Sequence, residues 1–115
     1  MRVLVLAKEG EQSGAATPPT PEAMAEHQKF NEELVKAGVV VASGRLSPSS
    51  HGKRVQFDGK KRNVIDGPFA ETKELVAGYW LWQVRSMDEA IEWLKRAPYD
   101  GGVFEIRQVS MHEGA

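Results

Sequence analysis

The chain contains no cysteine, so disulfides, thiolate nucleophiles, Fe–S clusters and Cys-type zinc sites are excluded. Long apolar runs are missing as well. Residues 3–7 form a run of five, and residues 75–82 fall far short of the ~20 residues that span a bilayer. The first run is also too short for a signal peptide, which needs about 7–15 apolar residues. We therefore expect no membrane segment and a cytoplasmic location.

No single sign of charge dominates the sequence, which carries 15 Lys+Arg against 16 Asp+Glu. This balance argues against a nucleic-acid partner and against an acidic membrane surface. Hydrophobic residues at 41% and charged residues at 27% are typical of a folded domain and not of a disordered chain. A length of 115 residues fits one domain, residues 1–115, with a core of adequate size.

Motifs that identify cofactors and nucleophiles are also missing. The sequence contains no glycine-rich phosphate loop and no Gly-x-Ser-x-Gly elbow. Its three histidines, His27, His51 and His112, are scattered and lack the spacing of metal ligands. We therefore expect no metal and no cofactor, which leaves proton transfer by histidine and carboxylate as the available chemistry.

The sequence does contain a clear alternation of strand and helix patterns. Thr20-Pro21 begins a helix, because threonine caps free amides and proline suits the first helical position, and Gly38 ends it. Ser86 and Glu89 form a capping box that begins a second helix. The predicted strands are residues 2–7, 39–42, 53–57, 60–65, 75–84 and 103–109.

The order β-α-β, hairpin, β-α-β predicts an α+β protein. We expect a ferredoxin-like sandwich of the dimeric α/β-barrel type, with an antiparallel sheet and two helices on one face. The strand at residues 75–84 is apolar on both faces, although a sheet covered on one side should alternate apolar with polar residues. We therefore expect a homodimer through the sheet face that carries Trp80 and Trp82, since aromatic residues are typical of interface cores.

Asp58-Gly59 is a strong signal for a two-residue hairpin turn, and a turn at these residues places Phe57 opposite Lys60. The predicted hairpin carries five basic residues, namely Lys53, Arg54, Lys60, Lys61 and Arg62. A positive ribbon of this kind can contact RNA. The alternative is a solvated edge hairpin, which we favour because the whole chain is slightly acidic.

His27 is the first candidate for chemistry. It lies on the predicted inward stripe of the first helix, whose other members are Ala23, Phe30, Leu34 and Ala37. A neutral imidazole at the mouth of a helix–sheet cleft can accept a proton. The alternative is a histidine packed against the core with its ring nitrogens satisfied.

Asp66 is the second candidate, at the start of the segment Asp-Gly-Pro-Phe. One interpretation is turn chemistry, in which the carboxylate accepts backbone amides while glycine and proline set the backbone angles. The other is a carboxylate aimed at a pocket rimmed by Phe69, where it orients His27 or binds a proton itself.

Residues 64–74, with the sequence V-I-D-G-P-F-A-E-T-K-E, closely resemble the signature of the bacterial DGPF-domain proteins in the YCII-related family. The resemblance covers nearly the whole chain, because residues 27–46 and 79–109 are similar to two further segments of the wider YCII group. It implies a ferredoxin-like fold, dimerisation through the sheet faces and a cleft beside the first helix. We expect Arg45, Pro68, Phe69 and Glu71 to line that cleft.

The resemblance also bears on function. Some YCII relatives are proposed to use a His–Asp pair, and His27 matches its histidine. The aspartate position of an Asp-Pro-aromatic element holds Ala97 here, before Pro98-Tyr99. The dehydrochlorinase activity of one branch is therefore not carried over, and Asp66 is the substitute carboxylate. The DGPF branch has no generally assigned reaction, and its members often accompany extracytoplasmic-function sigma factors.

Two classes of function follow from these observations. The first is a dimeric protein that binds an unknown small molecule, with His27 and Asp66 available for proton transfer. The second is a non-catalytic regulatory module that meets a protein partner through the sheet face or the basic hairpin.

Overall fold

A computed structural model of the chain describes residues 1–8, 20–70, 75–99 and 101–110. The strands are β1 (Arg2–Lys8), β2 (Val40–Arg45), β3 (Lys53–Asp58), β4 (Lys61–Asp66), β5 (Val76–Gln83) and β6 (Phe104–Val109). The helices are α1 (Pro21–Lys36) and α2 (Met87–Lys95), and a short 3-10 helix covers Ser49–His51. Residues 9–19, together with Glu71 and His112, lie outside the described residues.

Both helices begin at the caps that the sequence predicts. The Thr20 hydroxyl accepts a hydrogen bond from the Ala23 amide at 3.1 Å, and Pro21 follows at the first helical position. The Ser86 hydroxyl accepts from the Glu89 amide at 3.1 Å. The Glu89 carboxylate in turn accepts from a backbone amide just before the helix, at Arg85. These local signals fix where each helix starts without help from the rest of the fold.

Four strands form one antiparallel sheet in the order β2-β5-β1-β6, and α1 and α2 both pack on one face of it. This order is that of a split β-α-β arrangement in which β1 and β5 are the central strands. The predicted α+β, ferredoxin-like class is therefore confirmed. Strands β3 and β4 form a separate two-stranded sheet. In the sequence they lie between β2 and β5, which are neighbours in the main sheet.

Trp80 and Trp82 lie in the hydrophobic core under the helices, and not on the open face of the sheet where we expected them. Trp82 is fully buried and Trp80 is 8% exposed. They pack with buried residues of β1, α1 and α2, namely Val3, Val5, Phe30, Leu34 and Ala90. The correction has a simple cause: β5 is apolar on both faces, so alternation alone does not indicate which face the helices cover.

On the opposite face of β5 no helix of the described residues packs. Leu81 and Tyr79 point to this open face, where their partners across the β1–β5 ladder are Leu4 and Leu6. All four side chains are only partly buried. The open face of the sheet therefore carries a small apolar cluster at its centre, made by these four residues.

Strand β2 runs to Arg45, beyond the end at residue 42 that the sequence predicts. The reason is a close approach across the sheet: a Cβ atom on Gly44 would lie 2.8 Å from the Tyr79 ring. Glycine at this position lets the ring lie flat against the strand, so this residue supports pairing instead of ending it.

The β3–β4 hairpin has its turn one residue later than predicted. Asp58 pairs with Lys61, and Phe57 lies opposite Arg62 instead of Lys60. The two loop residues are therefore Gly59 and Lys60, because Gly59 adopts the left-handed φ of +60° that the first loop position requires.

The position of Trp82 predicts a large difference between neighbouring substitutions on β5. Trp82→Ala should lower the free energy of unfolding by about 3–5 kcal/mol, because it leaves a cavity in the core. Leu81→Ala, on the open face, should cost about 1 kcal/mol. Urea unfolding monitored by circular dichroism measures both, with Trp82→Phe as the milder variant if the alanine chain does not fold. Equal costs would contradict this placement of the two faces.

Candidate functional site

A groove of about 880 Å³ runs along the outer side of α1, and we call it the α1 groove. One wall is α1 from its first turn to its last, and the other is formed by the end of β2 and the segment that follows α2. Its lining residues are Ala23, Met24, His27, Gln28, Asn31, Glu32, Val35, Lys36, Arg45, Pro98 and Tyr99. Three distant parts of the sequence thus meet around one concave surface, which is the usual form of a small-molecule site.

His27 lines this groove and is half-buried. Its Nδ1 atom lies 2.7 Å from the hydroxyl oxygen of Tyr99. Its ring stacks on the indole of Trp80, with centroids 6.2 Å apart and an angle of 22° between the planes. The Tyr99 ring is in turn held against Phe104, with a centroid distance of 4.9 Å. These contacts fix the plane of the imidazole and leave Nε2 without a hydrogen bond to the described residues.

The surroundings keep both members of this pair electrically neutral. Burial, and secondarily the Arg45 guanidinium, lower the pKa of His27 below its ordinary value of 6.5. Burial raises the pKa of Tyr99 to about 12, although Arg45 acts in the opposite direction. At neutral pH the pair is therefore an uncharged imidazole and an uncharged phenol that share one hydrogen bond.

The first helix presents less of its predicted stripe to the core than we expected. Phe30 and Leu34 are buried, but Ala23 and Ala37 are exposed. Ala23 lines the α1 groove, so the first turn of the helix faces a concave surface instead of the sheet. His27 lies at the boundary between the two, half-buried and next to the opening.

Asp66 does not contact His27. It is the last residue of β4, its side chain is 72% exposed, and its carboxylate forms an ion pair with Lys53 across the hairpin. The hairpin is a separate sheet, and this ion pair joins its two strands at the end away from the turn. The His27–Asp66 pair expected from the sequence is not formed, and Tyr99 occupies the place beside His27.

The Asp-Gly-Pro-Phe segment forms a tight packing contact with the 3-10 helix. The Gly67 amide donates to the Gly52 carbonyl at 2.9 Å, and a Cβ atom on Gly67 would lie 1.8 Å from the Ser49 carbonyl oxygen. The Arg54 guanidinium stacks on the Phe69 ring at 3.8 Å. Glycine is therefore required at residue 67 for steric reasons, and the segment anchors the hairpin.

The four residues expected to line the cleft are thus separated. Arg45 lines the α1 groove. Pro68 and Phe69 lie at the base of the hairpin and are not among the groove residues. Glu71 lies outside the described residues.

Tyr99 is the site residue that the sequence analysis missed. It follows Ala97-Pro98, the position where the wider YCII group has its Asp-Pro-aromatic element. The aromatic residue of that element was the available signal, because its hydroxyl can meet His27 even where the aspartate is absent.

The described residues contain neither a cluster of metal ligands nor a membrane-spanning helix. No three histidine, aspartate or glutamate side chains in residues 1–8, 20–70, 75–99 and 101–110 converge as a metal site. Within the same ranges no helix is both long and apolar enough to cross a membrane.

Comparison with known proteins gives the family. The model of the YCII-related domain matches residues 1–112 of the chain. The chain belongs to the YCII-related family. It is also 32% identical over 84 residues to an uncharacterized protein of Rhizobium meliloti (strain 1021), an alignment that covers 70% of this chain and 68% of that protein. The family resemblance predicted from the signature at residues 64–74 is therefore confirmed.

The electrostatics of the α1 groove in this YCII-related protein predict how His27 titrates. NMR of its Cε1–H signal should give a pKa below 6.5, and Arg45→Gln should move that value toward 6.5. Since the folded pKa is the lower one, the unfolded chain binds more protons in the window just below 6.5. The His27 contribution therefore destabilises the fold as pH falls through that window.

Arg107→Gln is the matched control for this titration. Arg107 lies opposite Leu4 on β1, on the open face of the sheet. The substitution therefore removes the same charge on the opposite side of the sheet from the groove. It should leave the His27 midpoint unchanged. An identical midpoint in the wild type, both variants and the urea-unfolded chain would refute the predicted environment.

Proposed function

We propose that this YCII-related protein binds a small anionic molecule in the α1 groove and that His27 exchanges a proton with it. The observation that carries the proposal is the His27–Tyr99 hydrogen bond in a groove that is also lined by Arg45, whose guanidinium has no hydrogen bond or ion pair to the described residues. A concave site with a few convergent polar groups and a shifted pKa is the usual arrangement of a binding or catalytic centre.

The charges of the lining favour an anion. Arg45 and Lys36 contribute two positive charges to the groove and Glu32 contributes one negative charge. Arginine binds carboxylate and phosphate groups with two parallel hydrogen bonds, which fixes the orientation of the ligand. The half-buried imidazole, stacked on Trp80, provides a flat aromatic surface in the same groove.

The His27–Tyr99 pair can accept a proton from the ligand in one tautomer and donate a hydrogen bond to it in the other. In one tautomer Nδ1–H donates to the Tyr99 oxygen, and Nε2 has a free lone pair that can take a proton from the ligand. In the other, the Tyr99 hydroxyl donates to Nδ1, and Nε2–H donates to an anion. A phenol with a pKa of about 12 keeps its proton throughout the neutral range, so it serves both tautomers.

Asp66 has no part in this proposal, because its carboxylate is engaged with Lys53 on the hairpin. The regulatory alternative, in which the chain meets a protein partner without chemistry, stays a prediction. So does the cytoplasmic location.

Binding of anions in the groove can be tested with matched probes. Benzoate and benzamide differ in charge but little in shape, so the carboxylate should bind more tightly. The indole Nε1–H of Trp80 donates to Asn31 in the groove wall at 3.2 Å, and its NMR signal is therefore a local reporter. Titration should shift this signal, while the buried indole of Trp82 serves as an internal reference.

Variants separate the roles of the two groove residues in that titration. Arg45→Gln should weaken benzoate binding by about tenfold or more, the usual value of a charge-assisted hydrogen bond, and should leave benzamide unchanged. Once turnover of a ligand is found, His27→Ala should slow it by about 10²–10⁴-fold, with His51→Ala as the exposed control. Equal affinity for both probes, or no response of Trp80 to either, would refute the anion site.

We also propose that two copies associate through the open face of the sheet. The apolar cluster of Leu4, Leu6, Tyr79 and Leu81 supports this arrangement, since it has no helix over it among the described residues. It takes the place of the Trp80 and Trp82 surface that we first expected to form the interface.

Light scattering at micromolar concentration tests this association. The wild type should have the mass of more than one chain, and Leu81→Lys should reduce it because a buried unpaired ammonium is costly. Ile91→Lys is the control. Ile91 is an exposed residue of α2, so its replacement should not change the mass. A wild-type monomer, or equal masses for the two variants, would rule out the sheet-face contact.

A further inference from the structure

The outer edge of β3 is an unpartnered surface among the described residues. β3 pairs with β4 alone, so one side of the strand has no neighbour in the sheet. The hairpin side chains are also exposed, with Val55 at 54%, Phe57 at 71% and Val64 at 64%. A two-stranded hairpin is only marginally stable by itself, and a bare strand edge is a template for another strand.

The register of the hairpin indicates which backbone groups face outward. Asp58 and Lys61 flank the two-residue loop, and such a pair exchanges backbone hydrogen bonds. Because antiparallel ladders alternate, the backbone groups of Arg54 and Gln56 also point toward β4. Those of Val55 and Phe57 then point away from the hairpin and are available to a second strand.

We propose that β3 pairs antiparallel with β3 of a second copy of this chain, around a two-fold axis at Gln56. In this register Gln56 faces the partner's Gln56. Val55 faces the partner's Phe57, and the two exchange backbone hydrogen bonds. Arg54 faces the partner's Asp58. Two hairpins thereby form one four-stranded sheet, and this two-fold contact by itself joins two chains.

Each cross-strand pair in this register is favourable. Val55 with Phe57 is a β-branched residue against an aromatic one, Arg54 with Asp58 is an ion pair, and two glutamine amides can bond each other. A register one step away places Val55 opposite itself and leaves both charges unmatched. Lys53, the lysine that would oppose edge pairing, falls opposite the partner's Gly59, at the end of the ladder.

The β4 edge is a weaker candidate, because two of its three charged side chains, Arg62 and Asp66, already have polar partners within the chain. Arg62 donates to the carbonyls of Gly59 and Lys61 at 2.9 Å each and stacks on Phe57. Asp66 forms its ion pair with Lys53. On β3, Arg54 stacks on Phe69 but forms no ion pair with the described residues. Asp58 likewise makes no ion pair with any of the described residues. The charges therefore point to β3 as the edge that pairs.

The cysteine-free chain permits a direct test of this register. Gln56→Cys should form a disulfide-linked dimer under mild oxidation, because residues at a non-hydrogen-bonded pair lie about 4.5 Å apart between Cα atoms. Asn63→Cys, equally exposed but on β4, is the control and should crosslink about tenfold more slowly. The Leu81→Lys background removes the sheet-face contact, so the result does not depend on that association.

A charge exchange provides the second test. Arg54→Asp and Asp58→Arg should each slow crosslinking through Gln56→Cys by about tenfold, since like charges then face each other twice. A mixture of the two chains should crosslink as fast as the parent, because every charged position again meets its opposite. Equal rates at Gln56→Cys and Asn63→Cys, or no rescue in the mixture, would overturn the proposal.

Discussion

The indole of Trp80 is packed between the hydrophobic core and the α1 groove and contacts both. It lies 5.6 Å from Trp82 and edge-on to Phe30, while its other surroundings are His27 and Phe104. Its Nε1–H is satisfied by Asn31 on α1. Because this one rigid side chain is 8% exposed and touches helix, sheet and site, the groove wall cannot shift without disturbing the core.

That dependence explains how a small domain holds a polar pair in a defined geometry. Trp80 stacks on one face of His27, and Tyr99 is held by its ring against Phe104. The partial burial that these aromatic contacts impose is also the main cause of both pKa shifts. The aromatic residues that orient the imidazole are therefore also the ones that keep it neutral. Arg45, on β2, adds to that effect through its positive charge.

The sequence was sufficient wherever the signal is local. The caps at Thr20 and Ser86, the succession of strands and helices along the chain, and the family all follow from short patterns. The inward face of β5 could not be predicted, because both of its faces are apolar and only the position of the helices distinguishes them. The His27–Tyr99 contact joins residues 72 positions apart, and its recognition requires knowing where the chain returns after α2. The hairpin turn was misplaced by a single residue because Gly59 can occupy either loop position.

The signature segment and the candidate site have separate physical roles in this fold. Asp66, Gly67 and Phe69 anchor the hairpin through Lys53, the Ser49 backbone and Arg54, and none of them lines the α1 groove. The groove is lined by His27, Arg45 and Tyr99, which lie outside residues 64–74. A match to the signature therefore predicts the hairpin and its exposed β3 edge, whereas the ligand depends on residues that the signature does not contain. Two chains that share the segment can differ in chemistry if their groove residues differ, since a fold and its packing motifs do not determine the reaction.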